Sequence, residues 1–147
     1  MADPFRYYLR VRYGECDAQR VVFNPRWADY VDIGSVEFFH AVGIGEALAS
    51  GAFDYQVVKL TLEWKAPARF DQVIELSIYT THLGNTSFTM VTEFRIAGQE
   101  RVICRAETIY VNVDSRTLTK LPLSVEVRAA LQAGAPGKIV DHAGRPA

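Results

Sequence analysis

The sequence predicts an α+β domain in which one antiparallel sheet of about five strands wraps around a long central helix. Three observations carry this. Five stretches alternate apolar and polar residues with the period of two of a half-buried strand. One stretch between the first and second of them has the wider period of a helix. A chain of 147 residues holds one proper core and is too short for two ordinary ones. Residues 1–134 are expected to form this domain, with the Ala-, Pro- and Gly-rich residues 135–147 as a mobile tail.

The first strand starts at Phe5, where Tyr7, Leu9, Val11 and Tyr13 alternate with Arg6, Arg10 and Arg12. A polar break over residues 15–20 and the step Val21-Val22-Phe23 lead to Asn24-Pro25. Asparagine suits an N-cap, and proline, with its fixed φ and no N–H, suits the first helical position. The helix is expected to run from Pro25 to about Val42 and stop at Gly43, with Trp27, Tyr30, Val31, Gly34, Phe38 and Val42 along one stripe. Ile33, Val36 and Phe39 widen that stripe, so the helix should be largely covered by other structure. Gly34 in mid-stripe lets a neighbour come close, at a propensity cost of about 1 kcal/mol.

After a short Ala/Leu/Gly segment over residues 44–51, Val58, Leu60, Leu62 and Trp64 alternate with Lys59, Thr61, Glu63 and Lys65. The next two strands follow the same rule, Ile74, Leu76 and Ile78 in one and Phe88, Met90, Phe94 and Ile96 in the other. The run from Arg101 to Val113 is apolar on both faces, which suits a central strand or one at a subunit contact. Pro67, Gly84-Asn85, Gly98 and Asp114-Ser115 punctuate these strands as turns, and a short helix is expected after Ser124.

Composition excludes several function classes. Sixteen Lys plus Arg against 17 Asp plus Glu give a net charge of -1, so no bulk field attracts nucleic acid or an anionic membrane. No run of eighteen apolar residues suggests a membrane span, and the first residues lack the apolar core of a signal peptide. Cys16 and Cys104 lie far apart and His40, His82 and His142 are scattered, which is neither a zinc pattern nor a disulfide framework. A cytoplasmic protein without structural metal is the expectation.

The densest polar cluster is Tyr13-Gly14-Glu15-Cys16-Asp17, with Asp17 seven residues before Asn24. That spacing sets a carboxylate near the unpaired amides of a helix start, which favour an oxygen developing negative charge. A carboxylate on one side of a carbonyl and N–H donors on the other are the minimum for acyl transfer. The alternative is that Asp17 caps a turn and Asn24 caps the helix, with no chemistry at either.

Residues 13–17, Val21-Val22-Phe23-Asn24-Pro25 and Trp27 resemble the signature of the 4-hydroxybenzoyl-CoA thioesterase family of hotdog-fold proteins. Trp64-Lys65-Ala66-Pro67 with Asp71, Leu83-Gly84-Asn85-Thr86-Ser87-Phe88, Tyr110-Val111-Asn112-Val113-Asp114 and Leu121-Pro122 are similar, in order, to its later landmarks. The resemblance implies a hotdog fold and an acyl-CoA thioesterase that releases a free acid and CoA without metal or redox cofactor. It gives Asp17 the role of general base or nucleophile and the backbone N–H of Asn24 that of polarising the thioester carbonyl. It also implies a homo-oligomer, a dimer or a tetramer built as a dimer of dimers, with sites between subunits.

Tyr13, Phe23 and Arg20 are expected beside the site. Asn24 stands where one branch of the family has histidine, Arg20 replaces a small residue, and the Gly84-Asn85-Thr86 turn lacks the basic cluster that binds CoA phosphates in some members. Among other candidates, Cys16 has no nearby histidine to ionise it, and Cys104 suits the core. His40 suits a helix C-terminus and His82 a strand end. Asp29, Asp32 and Glu37 are the fallback carboxylates, since a related branch carries its carboxylate on the helix. Two rivals remain at this stage: a non-catalytic acyl-CoA binding or sensing module, and a hydratase or dehydratase, for which the motif lacks the histidine.

Overall fold

The structure is a computed structural model, and it describes residues 3–145. In chain order it contains β1 (Phe5–Arg10), a 3-10 turn (Tyr13–Glu15), α1 (Arg26–Ala41), α2 (Gly45–Ser50), β2 (Tyr55–Trp64), β3 (Val73–Leu83), β4 (Ser87–Ile96), β5 (Cys104–Asn112), α3 (Val125–Ala133) and β6 (Ile139–Asp141). The strands form one sheet in the order β2-β5-β4-β3-β1-β6, antiparallel throughout except that β6 runs parallel to β1.

Helix α1 lies on one face of this sheet and buries Trp27, Tyr30, Val31, Gly34, Ser35, Phe38 and Phe39. Against it stand Leu76 and Ile78 of β3, Phe88, Met90 and Phe94 of β4, and Ala106 and Tyr110 of β5. Gly34 is where the layers meet most closely: a Cβ there would lie 2.7 Å from Leu76 Cδ2 and 2.9 Å from Ile78 Cδ1. The helix ends as its sequence implies, since Gly43 takes the left-handed φ of 95° and its N–H and that of Ile44 close onto the carbonyls of His40 and Phe39. At the start of α3, the Ser124 hydroxyl accepts from the Val127 N–H at 3.1 Å.

Two expectations change. The sheet has a sixth strand: in the segment read as a tail, the Lys138 carbonyl accepts from Arg6 N–H and the His142 N–H donates to the Tyr8 carbonyl, laying β6 along the free edge of β1. Its three residues are too short to show a period. Second, Pro25 rather than Asn24 is the N-cap of α1, in helical conformation with no side-chain bond, because the first turn is tight and the Trp27 N–H closes onto the Asn24 carbonyl. Strand β5 takes the central place its pattern allowed, hydrogen-bonded to β2 on one side and β4 on the other, with Ile109 and Val111 half-buried on the face away from the core. The uncovered strand is β2, where Val57, Val58, Leu60 and Trp64 are exposed and only Leu62 and Tyr55 reach the core. In the core, Phe39, Phe53, Phe88 and Tyr110 pack together, with Tyr110 stacked on Phe88 at 4.8 Å.

Candidate active site

The loop between β1 and α1 is held by its own backbone. The Asp17 N–H donates to the Val21 carbonyl at 2.9 Å, the Phe23 N–H to the Glu15 carbonyl at 3.0 Å, and Cys16 faces Val22 in an isolated antiparallel bridge. The segment after β2 then runs alongside, with the Val22 N–H on the Ala68 carbonyl and the Phe70 N–H on the Arg20 carbonyl, both at 2.9 Å. Arg20 adopts φ 62°, the left-handed region, where a residue without a Cβ is the easier choice.

Asp17 is half-buried. Its Oδ1 accepts from the Gln19 N–H at 2.8 Å and its carbonyl accepts from the Arg20 N–H at 2.9 Å, so the turn-capping reading is correct for one carboxylate oxygen. Oδ2 has no protein partner among the described residues. Asp17 lines a cavity of about 350 Å³ with Tyr13, Cys16, Ala18, Arg20 and Phe70. The Phe70 ring organises that wall: Tyr13 meets it edge-on at 5.5 Å and the Arg20 guanidinium lies 5.4 Å from its centroid.

Asn24 lines a neighbouring, smaller cavity of about 260 Å³ with Val21, Val22, Trp27, Trp64, Lys65, Ala66 and Pro67. Its N–H donates to no protein group among the described residues. Within one chain, then, Tyr13, Arg20 and Asp17 come together, Asn24 sits in the adjoining cavity, and Phe23 lies half-exposed between them, lining neither. Sequence reasoning missed Phe70 and the part played by Trp64 and Lys65. The signal was present in the landmark from Trp64 to Asp71, but nothing local ties those residues to a loop forty positions earlier.

Burial, aided by the Glu15 and Asp17 charges, raises the Cys16 thiol pKa, with Arg20 only partly opposing, so Cys16 is protonated and a poor nucleophile. Cys104 is buried in the core and its pKa is pushed up to about 12. Asp29 pairs with Arg26 at 3.0 Å, Asp32 and His40 are exposed, and His82 stands exposed on β3. His142 Nδ1 meets the Tyr7 hydroxyl at 3.1 Å. Asp29, Asp32, Glu37, His40, His82 and His142 all lie outside the lining of the cavity holding Asp17. Among the described residues no three His, Cys, Asp or Glu gather closely enough to hold a metal ion, and no helix is long and apolar enough to cross a membrane. A cavity of about 510 Å³ between α3 and the start of β1 contains none of the predicted site residues.

A six-stranded sheet wrapped on one long helix is the hotdog arrangement. Residues 11–131 match the family model of the thioesterase-like superfamily, and the chain belongs to that family. The acyl-CoA thioester hydrolase YbgC of Escherichia coli O157:H7 is 29% identical over 126 residues, covering 85% of this chain and 88% of the relative. The 1,4-dihydroxy-2-naphthoyl-CoA hydrolase of Synechococcus elongatus is 24% identical over 138 residues, covering 90% and 97%. Among solved structures, a gentisyl-coenzyme A thioesterase superposes with a TM-score of 0.76 at 25% identity, covering 86% of this chain and 98% of its own. The 1,4-dihydroxy-2-naphthoyl-CoA thioesterase of Synechocystis gives a TM-score of 0.77 at 18% identity, covering 87% and 95%, and so speaks for the fold alone.

Proposed function

We propose that this protein hydrolyses acyl-CoA thioesters, with Asp17 as the reacting carboxylate and the Asn24 N–H as the donor to the thioester oxygen. The observation that carries the reading is the pairing of a carboxylate oxygen and a helix-start N–H, both without protein partners, on one braced loop. As general base, Asp17 takes a proton from water, the hydroxide adds to the carbonyl carbon, and the oxyanion gains the Asn24 hydrogen bond. Collapse breaks the C–S bond and Asp17 returns the proton to the leaving thiolate. As nucleophile, Asp17 instead adds to the carbonyl carbon and the C–S bond breaks, expelling the CoA thiolate and leaving a mixed anhydride; water then cleaves it to the free acid and the Asp17 carboxylate, and its second proton goes to the thiolate. Either route is complete with a carboxylate and water, so it calls for no metal or redox cofactor.

Tyr13 and Phe70 line the Asp17 cavity and Trp27 and Trp64 the Asn24 cavity, which makes aryl thioesters a natural part of the substrate panel. The working unit is at least a dimer, because β2, whose last residue Trp64 lines the Asn24 cavity, has an unpaired outer edge. The test is thiol release from aromatic, short, medium and long acyl-CoAs by the wild type and Asp17→Asn. Turnover of one class, with kcat down about a hundredfold or more in a folded Asp17→Asn, is the expected result. Tight acyl-CoA binding without thiol release would make the protein a sensing module instead, and full activity of Asp17→Asn would move the chemistry to another residue.

A further inference from the structure

Glu15 lies two residues before Asp17 and, unlike it, is buried at 8% exposure. Four hydrogen bonds converge on its carboxylate. Oε1 accepts from the Arg12 N–H at 2.8 Å and from the Tyr30 hydroxyl at 2.7 Å, while Oε2 accepts from Arg12 Nε at 3.0 Å and Nη2 at 2.7 Å. Burial works to raise its pKa, but the Arg12 side chain, the Arg12 N–H and the Tyr30 hydroxyl together hold it below the ordinary carboxylate value. Glu15 is therefore a permanent anion at neutral pH, and it makes no proton transfer available to substrate.

Its partners explain why such a group is buried at all. Arg12 stands two residues beyond β1, capping the 3-10 turn, Glu15 ends that turn and leads to Asp17, and Tyr30 lies on the core face of α1, six residues beyond Asn24. Tyr30 is itself 1% exposed and packs edge-on against Trp27 at 5.7 Å, so its hydroxyl is a fixed point on the helix. The Glu15 carbonyl also accepts from the Phe23 N–H immediately before Asn24. Both functional atoms, the Asp17 carboxylate and the Asn24 N–H, are thus referred to one buried anion, one through the turn and the other through the helix.

We propose that Glu15 is a positioning residue: held between Arg12 and the Tyr30 hydroxyl, its carboxylate fixes the Asp17 turn against the start of α1. The inference rests on the reading of Asp17 as the reacting carboxylate. Misplacement of a reacting group by a fraction of an ångström to an ångström lowers turnover strongly while leaving substrate binding nearly intact. The cost therefore falls on kcat and not on KM.

Tyr30→Phe is the direct test, since it deletes only the hydroxyl and keeps both the ring packing and the Glu15–Arg12 pair. Expected is a fall in kcat of about tenfold or more with KM within about twofold, and no further fall when the change is added to Asp17→Asn. Glu15→Asp keeps the charge but is one methylene too short to span Arg12 and Tyr30, and it should reproduce the same split. An unchanged kcat in Tyr30→Phe, or an equal proportional loss on the Asp17→Asn background, overturns the positioning role, because a merely structural bond lowers both enzymes alike. Should Asp17→Asn itself retain full activity, the reading of Asp17 fails, whatever Tyr30→Phe does. An inactive Asp17→Asn beside an unaffected Tyr30→Phe sinks only the role of Glu15.

Discussion

The Asn24 side chain makes no hydrogen bond among the described residues, because Pro25 already stands in helical conformation and the first turn closes onto the Asn24 carbonyl. A true N-cap asparagine contributes about 1 kcal/mol. Here Asn24→Ala should shift the unfolding free energy by less than about half of that, read from urea midpoints at constant slope. The same variant keeps the backbone N–H, so kcat should fall only a few-fold. A loss as deep as that of Asp17→Asn would show that the amide side chain itself meets substrate or water. Cys16 illustrates the complementary case of a residue beside Asp17: burial, with two neighbouring carboxylates, keeps the thiol protonated.

At the scale of elements, the contact between α1 and β3 sets how far the helix can approach the sheet. Glycine at position 34 gives up about 1 kcal/mol of helix propensity. Adding a methyl there meets Leu76 and Ile78 inside their contact distance, and both side chains are fully buried. Overpacking of this kind costs about 1–3 kcal/mol, so Gly34→Ala should lower the melting temperature although alanine is the better helix former. A raised melting temperature would show that β3 yields. Gly34 was legible in the sequence because a helix breaker in the middle of an apolar stripe needs a packing reason. So were α1, α3 and the inner faces of β3 and β4, whose patterns are local. What escaped had non-local causes: β6 exists only because β1 offers a free edge, the exposure of β2 depends on its place in the sheet order, and Phe70 reaches Asp17 only through the pairing of Arg20 with the segment after β2. In the site, the sequence showed the carboxylate and the helix start but not the anion at Glu15 that joins them, since a buried glutamate in a polar cluster looks like a solvated one until its partners are placed.

For the whole molecule the decisive asymmetry lies between the two edges of the sheet. The β6 edge is only three residues long, whereas β2 offers ten, with Val57, Val58, Leu60 and Trp64 exposed. A long apolar edge is a template for another strand, and a two-fold partner is the commonest way to cover one. A bulge at Val58 separates the first residues of β2 from the regular stretch Lys59 to Trp64, which pairs on its inner side with Ile109 to Cys104. If two copies join antiparallel along that stretch, a two-fold axis at Thr61 sets Lys59 of each chain opposite Glu63 of the other and Leu60 opposite Leu62. Opposite charges facing across strands stabilise by about 0.2–1 kcal/mol per pair, and like charges cost a similar amount. This register satisfies both charges and gathers the apolar residues of both strands on the helix side, beside Trp64 and the Asn24 cavity. Light scattering at micromolar concentration should therefore give a mass near twice or four times 16.5 kDa. Lys59→Glu, which sets like charges opposite each other twice per dimer, should weaken association by about tenfold or more, with activity per chain falling on dilution as the shared wall is lost. Adding Glu63→Lys restores the pairs in reverse order and should recover both mass and turnover. A monomer with full activity would remove the dimer from the mechanism, and a double variant no better than the single one would place the axis elsewhere on β2.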